Sequence, residues 1–289
     1  MKTLTEEKVK NVKKVSTISF SFNLLLLVIK MIFGVISSSQ SLIADAVNSA
    51  GDIVASLVSI IGIKVASKPR DKEHPYGHGK AEYIFAALVG ISMIIASIAM
   101  IKNAILSMVS NSTVNVSIFL ILVCIITILV KFSLMMYSKS QYKKTDSILI
   151  KCNMEDHRND MFVTLGVLIG IICSKFGFYF VDGIIGILIS IWIVIVAIKI
   201  IYPACLVLID TQSNFIDEAK REVQNFEEIK SIDKFYISPV GDKYLAIIEI
   251  SMDKEKSLSE VHEYIDKIEK KLYEKFKSIV DINIHVNPK

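Results

Sequence analysis

Asp156 and Asp160, in the stretch DHRND, are carboxylates whose spacing would let them bind a metal ion together. They lie four positions apart beside an apolar run, so a helix would place both carboxylates on one face. A second set, Asp45, Asn48 and Asp52 in ADAVNSAGDIVAS, falls at i, i+3 and i+7 and also shares a face. Two helices that each present two oxygen side chains can form a four-ligand metal site between them.

The alternative is that these polar side chains only hold helices together. Asn48 and Asp52 would then make interhelical hydrogen bonds and Asp156 would lie among lipid headgroups, but such contacts are usually made by Ser, Thr or Asn and rarely by Asp. Carboxylates that face one another without a cation must be neutralised by protons. A divalent cation removes that cost, and protons can replace the cation when it leaves. The pattern therefore favours exchange of metal for protons.

A second candidate site lies in the segment PRDKEHPYGHGKAE, residues 69–82. Asp71, His74 and His78 offer one oxygen and two nitrogens within eight residues, a donor set that suits a transition metal. His-Pro and Gly-His-Gly turns also occur for backbone reasons, so a loop without metal is the alternative.

These candidate ligands belong to a chain with the composition of a membrane protein. Hydrophobic residues make up 52% and the mean hydropathy is +0.51, well above a soluble protein. Most of the apolar stretches reach the roughly 20 residues that cross a bilayer. They are 15–35, 42–67, 81–109, 114–137, 161–174 with a backward extension from 147, and 178–209. The fifth spans only if DHRND lies inside it, and since a buried charge costs about 3 kcal/mol there, function is expected.

The basic residues predict the orientation of the chain. They are concentrated before residue 15, in 68–80 and in 139–151, whereas the alternate connections hold almost none. By the positive-inside rule both termini are then cytoplasmic. The net charge of +4 thus reflects topology, and we predict no nucleic-acid partner. No HExxH, nucleophile elbow or phosphate loop is present, which argues against a membrane enzyme.

After Leu208 the sequence becomes charged and amphipathic, which predicts a separate domain. We predict a helix over 214–228, strands over 231–239 and 243–252, a helix over 257–277 and a strand over 280–286. This α-β-β-α-β order suits a ferredoxin-like α+β fold, and about 80 residues is a small core, which favours dimerisation. The predicted organisation is a cytoplasmic N-terminal tail (1–14), an all-α transport domain with six transmembrane helices (15–209), and a cytoplasmic ferredoxin-like dimerisation and regulatory domain (210–289).

Several motifs together resemble the cation diffusion facilitator family along nearly the whole chain. They are SLIADAVNSAGDIVAS, HPYGHGKAE, DHRND, the Asp182-Gly-Ile-Ile-Gly that opens the sixth stretch, and the ending INIHVNP. The resemblance implies a homodimer in the lipid bilayer with six spans per subunit, which exports divalent metal from the cytosol in exchange for protons. Its transport site matches Asn48, Asp52, Asp156 and Asp160, and its second site matches Asp71, His74 and His78.

One departure from the family pattern bears on the metal. Zinc carriers of the family generally have His at the position of Asp156 and His or Asp at that of Asn48, so all four matched side chains here offer oxygen. His157 lies about 100° further around the helix, turned toward the cytoplasmic side, and is not expected to replace the missing ligand. Oxygen donors suit Mn²⁺ better than Zn²⁺. We therefore predict a manganese exporter of a bacterial plasma membrane, with zinc, iron, cobalt or cadmium as alternative cargo and a metal sensor without transport as a further alternative.

The resemblance also assigns residues outside the transport site. The family's His-rich regulatory cluster matches Asp233, Glu249, His262, His285 and Asn287, of which we take Glu249, His262 and His285 as ligands, although a surface role for either His is an equal alternative. Lys80 is expected to pair with Asp210 and to tie the domains together at the dimer interface. The alternative for this pair is two snorkelling charges at the membrane surface.

Overall fold

The computed structural model describes residues 6–36, 40–110, 118–175 and 180–289. The side chains of several helical residues, among them Asp45, Asn48 and Asp182, lie outside the described residues. By its contacts the chain divides into one unit of residues 4–67 and 81–204 and another that comprises 68–80 and 205–289.

Long helices make up the first unit. They are α1 (Glu6–Ile36), α2 (Gln40–Ala66), α3 (Ala81–Ser110), α4 (Ile118–Thr145), α5 (Ile148–Lys175) and α6 (Phe180–Leu208), whose last residues belong to the second unit. Within the described ranges, five of them are long and apolar enough to cross a membrane. Helix α5 is not among these five, because the charges around DHRND lower its hydropathy. With 28 residues and a rise of 1.5 Å per residue, it is about 42 Å long, which is sufficient to span.

Helix α1 begins earlier than the sequence predicted. The sequence predicts a tail over 1–14, whereas the helix starts at Glu6 and Val12 and Val15 are fully buried against other helices. Hydropathy identifies the apolar part of a helix, and it misses a polar end that packs against neighbours rather than against lipid. For the same reason α4 continues to Thr145, beyond the predicted apolar stretch.

Two glycines allow close helix contacts in this unit. A Cβ on Gly62 of α2 would lie 2.6 Å from Cβ of Phe85 in α3, and a Cβ on Gly90 of α3 would lie 2.6 Å from Cγ1 of Ile201 in α6. No side chain larger than hydrogen fits at these distances without movement of the neighbour. These contacts hold α3 close to both α2 and α6.

The second unit contains the predicted α-β-β-α-β order. Its elements are α7 (Ile216–Gln224), β1 (Ser231–Pro239), β2 (Tyr244–Met252), α8 (Leu258–Lys275) and β3 (Ile279–Pro288). The sheet order is β1-β2-β3, with β1 antiparallel and β3 parallel to β2. Helix α8 begins with a capping box between Ser257 and Glu260, which satisfies free backbone donors at its first turn. Both helices contribute buried residues to one apolar core with the sheet.

Candidate metal centre

The centre of the helical unit contains the predicted carboxylates of α2 and α5. Asp156 and Asp160 lie on one face of α5, and a carboxylate oxygen of each lies within 4.8 Å of the other. Asp52 of α2 is 8% exposed, and α2 contacts α5. The structure therefore brings three of the four predicted transport ligands to one region. The fourth, Asn48, has its side chain outside the described residues.

A lysine connects these carboxylates. The side chain of Lys131, from α4, is 1% exposed, and its Nζ donates to Asp52 Oδ2 at 2.8 Å and to Asn23 Oδ1 of α1 at 2.9 Å. It also donates to Asp160 Oδ2. The ammonium has three donors and no acceptor, so these three partners satisfy it fully. It lies where a cation shared by α2 and α5 would lie.

His157 lies inside the helical unit, next to the two aspartates of α5. Its side chain is fully buried, and Nε2 lies 2.8 Å from Ser19 Oγ of α1. A ring nitrogen of His157 lies within 4.8 Å of carboxylate oxygens of Asp156 and Asp160. Its Nδ1 has no hydrogen-bond partner among the residues that the structure describes. The rotation of 100° per residue fixes the direction in which the Cα of His157 faces. The imidazole is long enough to reach the carboxylates of Asp156 and Asp160 from that position.

Sequence reasoning missed Lys131, and it missed the polar residues of α1. Lys131 lies inside the apolar stretch 114–137, for which hydropathy predicts only a transmembrane span. Asn23 contacts the Lys131 ammonium, and Lys30 Nζ donates to Ser49 Oγ of α2 at 2.9 Å while 2% exposed. An ionisable residue within a predicted span is a candidate functional residue by default, and this rule would have identified both lysines.

The predicted loop site is assembled in the second unit. Asp71 Oδ1 accepts the backbone N–H of His74 at 2.6 Å and lies 3.1 Å from its Nδ1, while His78 Nε2 lies 3.5 Å from Asp71 Oδ2. His78 Nδ1 lies 3.2 Å from the Pro69 carbonyl oxygen, so this nitrogen donates to the carbonyl. Gly77 (φ 85°) closes the turn with a backbone bond to His74.

The electrostatics of the loop suit a cation. The hydrogen bond from the backbone N–H of His74 lowers the pKa of Asp71 below its ordinary value. Burial acts in the opposite direction, and the side chains of His74 and His78 lower the pKa further. One ligand atom of each of Asp71, His74 and His78 lies within 4.8 Å of the others. The fixed tautomer of His78 is the arrangement that orients imidazole ligands in metal sites. The three side chains could therefore hold a transition metal.

The C-terminal residues are arranged differently from a metal cluster. Glu249 Oε2 lies 2.8 Å from Lys234 Nζ, and Asn287 donates to both Glu249 and Asp233. The hydrogen bond from Lys234 lowers the pKa of Glu249. His285 is opposite Glu249 in the parallel ladder, whereas His262 lies on α8, highly exposed and 3.9 Å from Asp266.

Among the described residues, the two groups of three or more potential ligands are the loop group and the α5 group. The structure thus does not bring Glu249, His262 and His285 together within one chain. The pair that the resemblance implied elsewhere is present, since Lys80 Nζ donates to Asp210 Oδ1 at 2.7 Å within the second unit. Asp210, two residues after the end of α6, adopts a positive φ of 58°.

Helices suited to cross a bilayer, with acidic side chains and a lysine buried between them, define a membrane transporter of cations rather than an enzyme. Residues 16–209 match the family described as the cation efflux transmembrane domain, and residues 212–289 match the cation efflux protein cytoplasmic domain. The chain belongs to the cation efflux family, as the resemblance of its motifs predicted, and it is a multi-pass membrane protein.

Relatives of the chain span almost its full length. The manganese efflux system protein MneP of Bacillus subtilis is 30% identical, with 96% of each chain covered. An uncharacterized transporter of Methanocaldococcus jannaschii is also 30% identical, with 96% of this chain and 99% of the relative covered. The manganese efflux system protein MneS of Bacillus subtilis is 26% identical, with 94% and 93% covered.

Proposed function

We propose that the protein exports Mn²⁺ from the cytoplasm in exchange for protons. The observation that carries this proposal is the set of carboxylates Asp52, Asp156 and Asp160 between α2 and α5, in a chain of the cation efflux family. Asp156 supplies an oxygen where zinc carriers have an imidazole. Two relatives whose names state manganese efflux support the same metal.

In this proposal the metal binds to oxygen atoms of Asp52, Asp156 and Asp160, with Asn48 as a fourth ligand on α2. When the ion leaves, the carboxylate charge that the Lys131 ammonium does not offset is neutralised by protons, because like charges so close together cannot all stay ionised. Alternating access requires the helices that hold the ligands to open first to one side of the membrane and then to the other. Helix α5 would cross the bilayer as the fifth of six spans, with its charges turned toward the protein.

The finer features of the assembly are proposals as well. The C-terminal domain would be ferredoxin-like and cytoplasmic and would form the homodimer, with both termini on the cytoplasmic side of a bacterial plasma membrane. The charge pair between Lys80 and Asp210 would stabilise the dimer interface. The loop ligands Asp71, His74 and His78 would hold a second metal ion whose role is regulatory or a first step of uptake.

Zinc, iron, cobalt and cadmium are the competing cargo, and His157 is the observation that favours them. Borderline metals such as Zn²⁺ prefer nitrogen donors, and an imidazole nitrogen lies within 4.8 Å of the α5 carboxylates. Manganese remains the better candidate, because oxygen donors outnumber this nitrogen.

Transport into proteoliposomes tests the proposal. We expect the full-length protein to move Mn²⁺ when a proton gradient is imposed, and we expect Asp160→Ala to abolish this movement. In competition, Mn²⁺ should be preferred to Zn²⁺. Absence of any metal movement in the wild type, with correctly inserted protein, would exclude a transporter, and binding without transport would support a metal sensor.

A strong preference for Zn²⁺ would instead show that the donor-atom argument is wrong while the transport mechanism holds. A matched control is Asp217→Ala, which removes a carboxylate from the first turn of α7, outside the helices that hold the proposed ligands. It should leave uptake unchanged.

A further inference from the structure

Lys131 contacts two of the proposed metal ligands, although metal binding by carboxylates does not need a lysine. Its ammonium is held by acceptors from three helices, with Asn23 on α1, Asp52 on α2 and Asp160 on α5. The side chain is 1% exposed. A buried charge of this kind is costly unless it is paired and hydrogen-bonded, and here two carboxylates and one amide oxygen provide that pairing.

We propose that the Lys131 ammonium is a tethered cation that occupies the site when metal is absent and that the transported metal must displace. The inference rests on the proposed transport function, because it concerns the same carboxylates. Lys131 acts as a positioning residue. It binds no metal itself and controls when Asp52 and Asp160 are free to do so.

Geometry makes metal and ammonium mutually exclusive. Nζ lies 2.8 Å from Asp52 Oδ2 and also contacts Asp160 Oδ2. A divalent ion bound to both carboxylates needs metal–oxygen distances of about 2.2 Å and would occupy the same space. The two cations also repel each other strongly in a poorly solvated interior. One of them must leave when the other arrives.

Asn23 gives the displaced ammonium a place to go. Its Oδ1 already accepts from Nζ at 2.9 Å, and an amide oxygen is neutral and does not compete for the metal as strongly as a carboxylate. The flexible four-carbon stem of lysine allows Nζ to withdraw from Asp52 and Asp160 while it keeps this contact. The unloaded site is thus held together by Lys131, and the loaded site by the metal.

The consequence is weaker binding and faster release. If Lys131 is seated in about 90% of unloaded molecules, the apparent affinity for metal falls about tenfold, since only the remaining fraction is competent. On the releasing side, the ammonium returns to the carboxylates and opposes rebinding. An exporter needs both effects, because an ion that binds tightly to carboxylates leaves slowly.

Equilibrium binding of Mn²⁺ to the full-length protein in nanodiscs tests the inference. We expect Lys131→Met to bind Mn²⁺ about tenfold more tightly than the wild type and to release it more slowly. In proteoliposomes the same variant should lower both KM and kcat. Lys131→Arg keeps the charge and should stay close to the wild type in affinity. Lys64→Met, at an exposed lysine of α2, is the control for the substitution itself and should change neither quantity.

Lys131→Gln guards against a folding defect, because its amide can still donate to Asp52 or Asp160 without a positive charge. It should reproduce the tighter binding. The inference is wrong if the Met and Gln variants fold like the wild type but bind Mn²⁺ no more tightly than the wild type. Such a result with active wild-type protein leaves the transport proposal intact, whereas a wild type that neither binds nor moves Mn²⁺ overturns that proposal instead.

Discussion

Breaking the buried ion pair between Lys8 and Glu82 should strongly destabilise the helical unit. Lys8 of α1 is 5% exposed and Glu82 of α3 is fully buried, and Nζ lies 2.9 Å from Oε2. Ser147, immediately before α5, donates to the other carboxylate oxygen, Oε1, at 2.5 Å. The pair therefore connects α1, α3 and the start of α5. Glu82→Leu leaves the Lys8 ammonium buried without the Glu82 carboxylate.

The magnitude follows from the distance and the burial. At 2.9 Å and an effective dielectric constant near 20, the attraction is about 6 kcal/mol, and most of it offsets the cost of removing both charges from water. Removal of one partner from such a pair costs about 3–5 kcal/mol. Replacement of both by apolar residues is expected to be close to neutral, since no charge is then left unpaired.

Equilibrium unfolding in mixed detergent micelles measures these changes, with Lys8→Met, Glu82→Leu and the double variant compared in one cycle. Each single change should cost about 3–5 kcal/mol and the double change much less than their sum. Lys64→Met is a matched control for loss of an exposed lysine. The reasoning is refuted if the single variants lose under 1 kcal/mol, or if their costs simply add in the double variant.

The remaining predictions concern the ligands and the C-terminal sheet. Asp156→His should shift the ratio of Mn²⁺ to Zn²⁺ uptake toward zinc by about tenfold or more, because it exchanges an oxygen for a nitrogen donor; an unchanged ratio in competition assays would contradict it. His157→Asn keeps a polar partner for Ser19 and should weaken Zn²⁺ binding more than Mn²⁺ binding, measured as a ratio of dissociation constants. Hydrogen bonds from Ser251 and then Asn287 lower the pKa of Asp233 in the folded protein. The stabilisation of the fold by the Asp233 carboxylate is therefore fully present above the ordinary pKa near 3.9. This stabilisation is lost as the pH falls through the lower pKa of the folded state. Asp233→Asn should therefore differ from the wild type in amide exchange of β1 and β2 at neutral pH, and this difference should disappear in acid.

The elements that follow local rules could be predicted from the sequence. The α-β-β-α-β order follows from a change of hydrophobic period after Leu208, and each of its elements lies within a few residues of the predicted bounds. The loop group was predictable because Asp71, His74 and His78 lie within eight residues. Asp156 and Asp160 share a face because four residues make about one helical turn.

Contacts between distant segments could not be predicted in the same way. Lys131 meets Asp52 and Asp160 only because α4 packs beside α5, and no spacing within α4 indicates that neighbour. The partner of Glu249 within its own chain could not be predicted for a related reason. The ladder sets Glu249 opposite both His285 and Lys234, and the nearby ammonium of Lys234 binds the carboxylate that a metal would need.

Ion pairs made by Lys131 and Arg158 help to explain why the charged segment DHRND is tolerated in a membrane helix. Of its charged or ionisable residues, Asp160 is paired with Lys131 of α4, and Arg158 is paired with Glu155 on its own helix while its guanidinium lies 5.4 Å from the ring centre of Trp192. His157 is held by Ser19. Each charge so paired avoids most of the cost of burial. These contacts lower the cost of keeping Asp160, Arg158 and His157 in the helical unit with no metal bound, and Asp156 is the residue of the segment that still needs a proton or the metal. A transporter requires such support, since its site is empty once in every cycle.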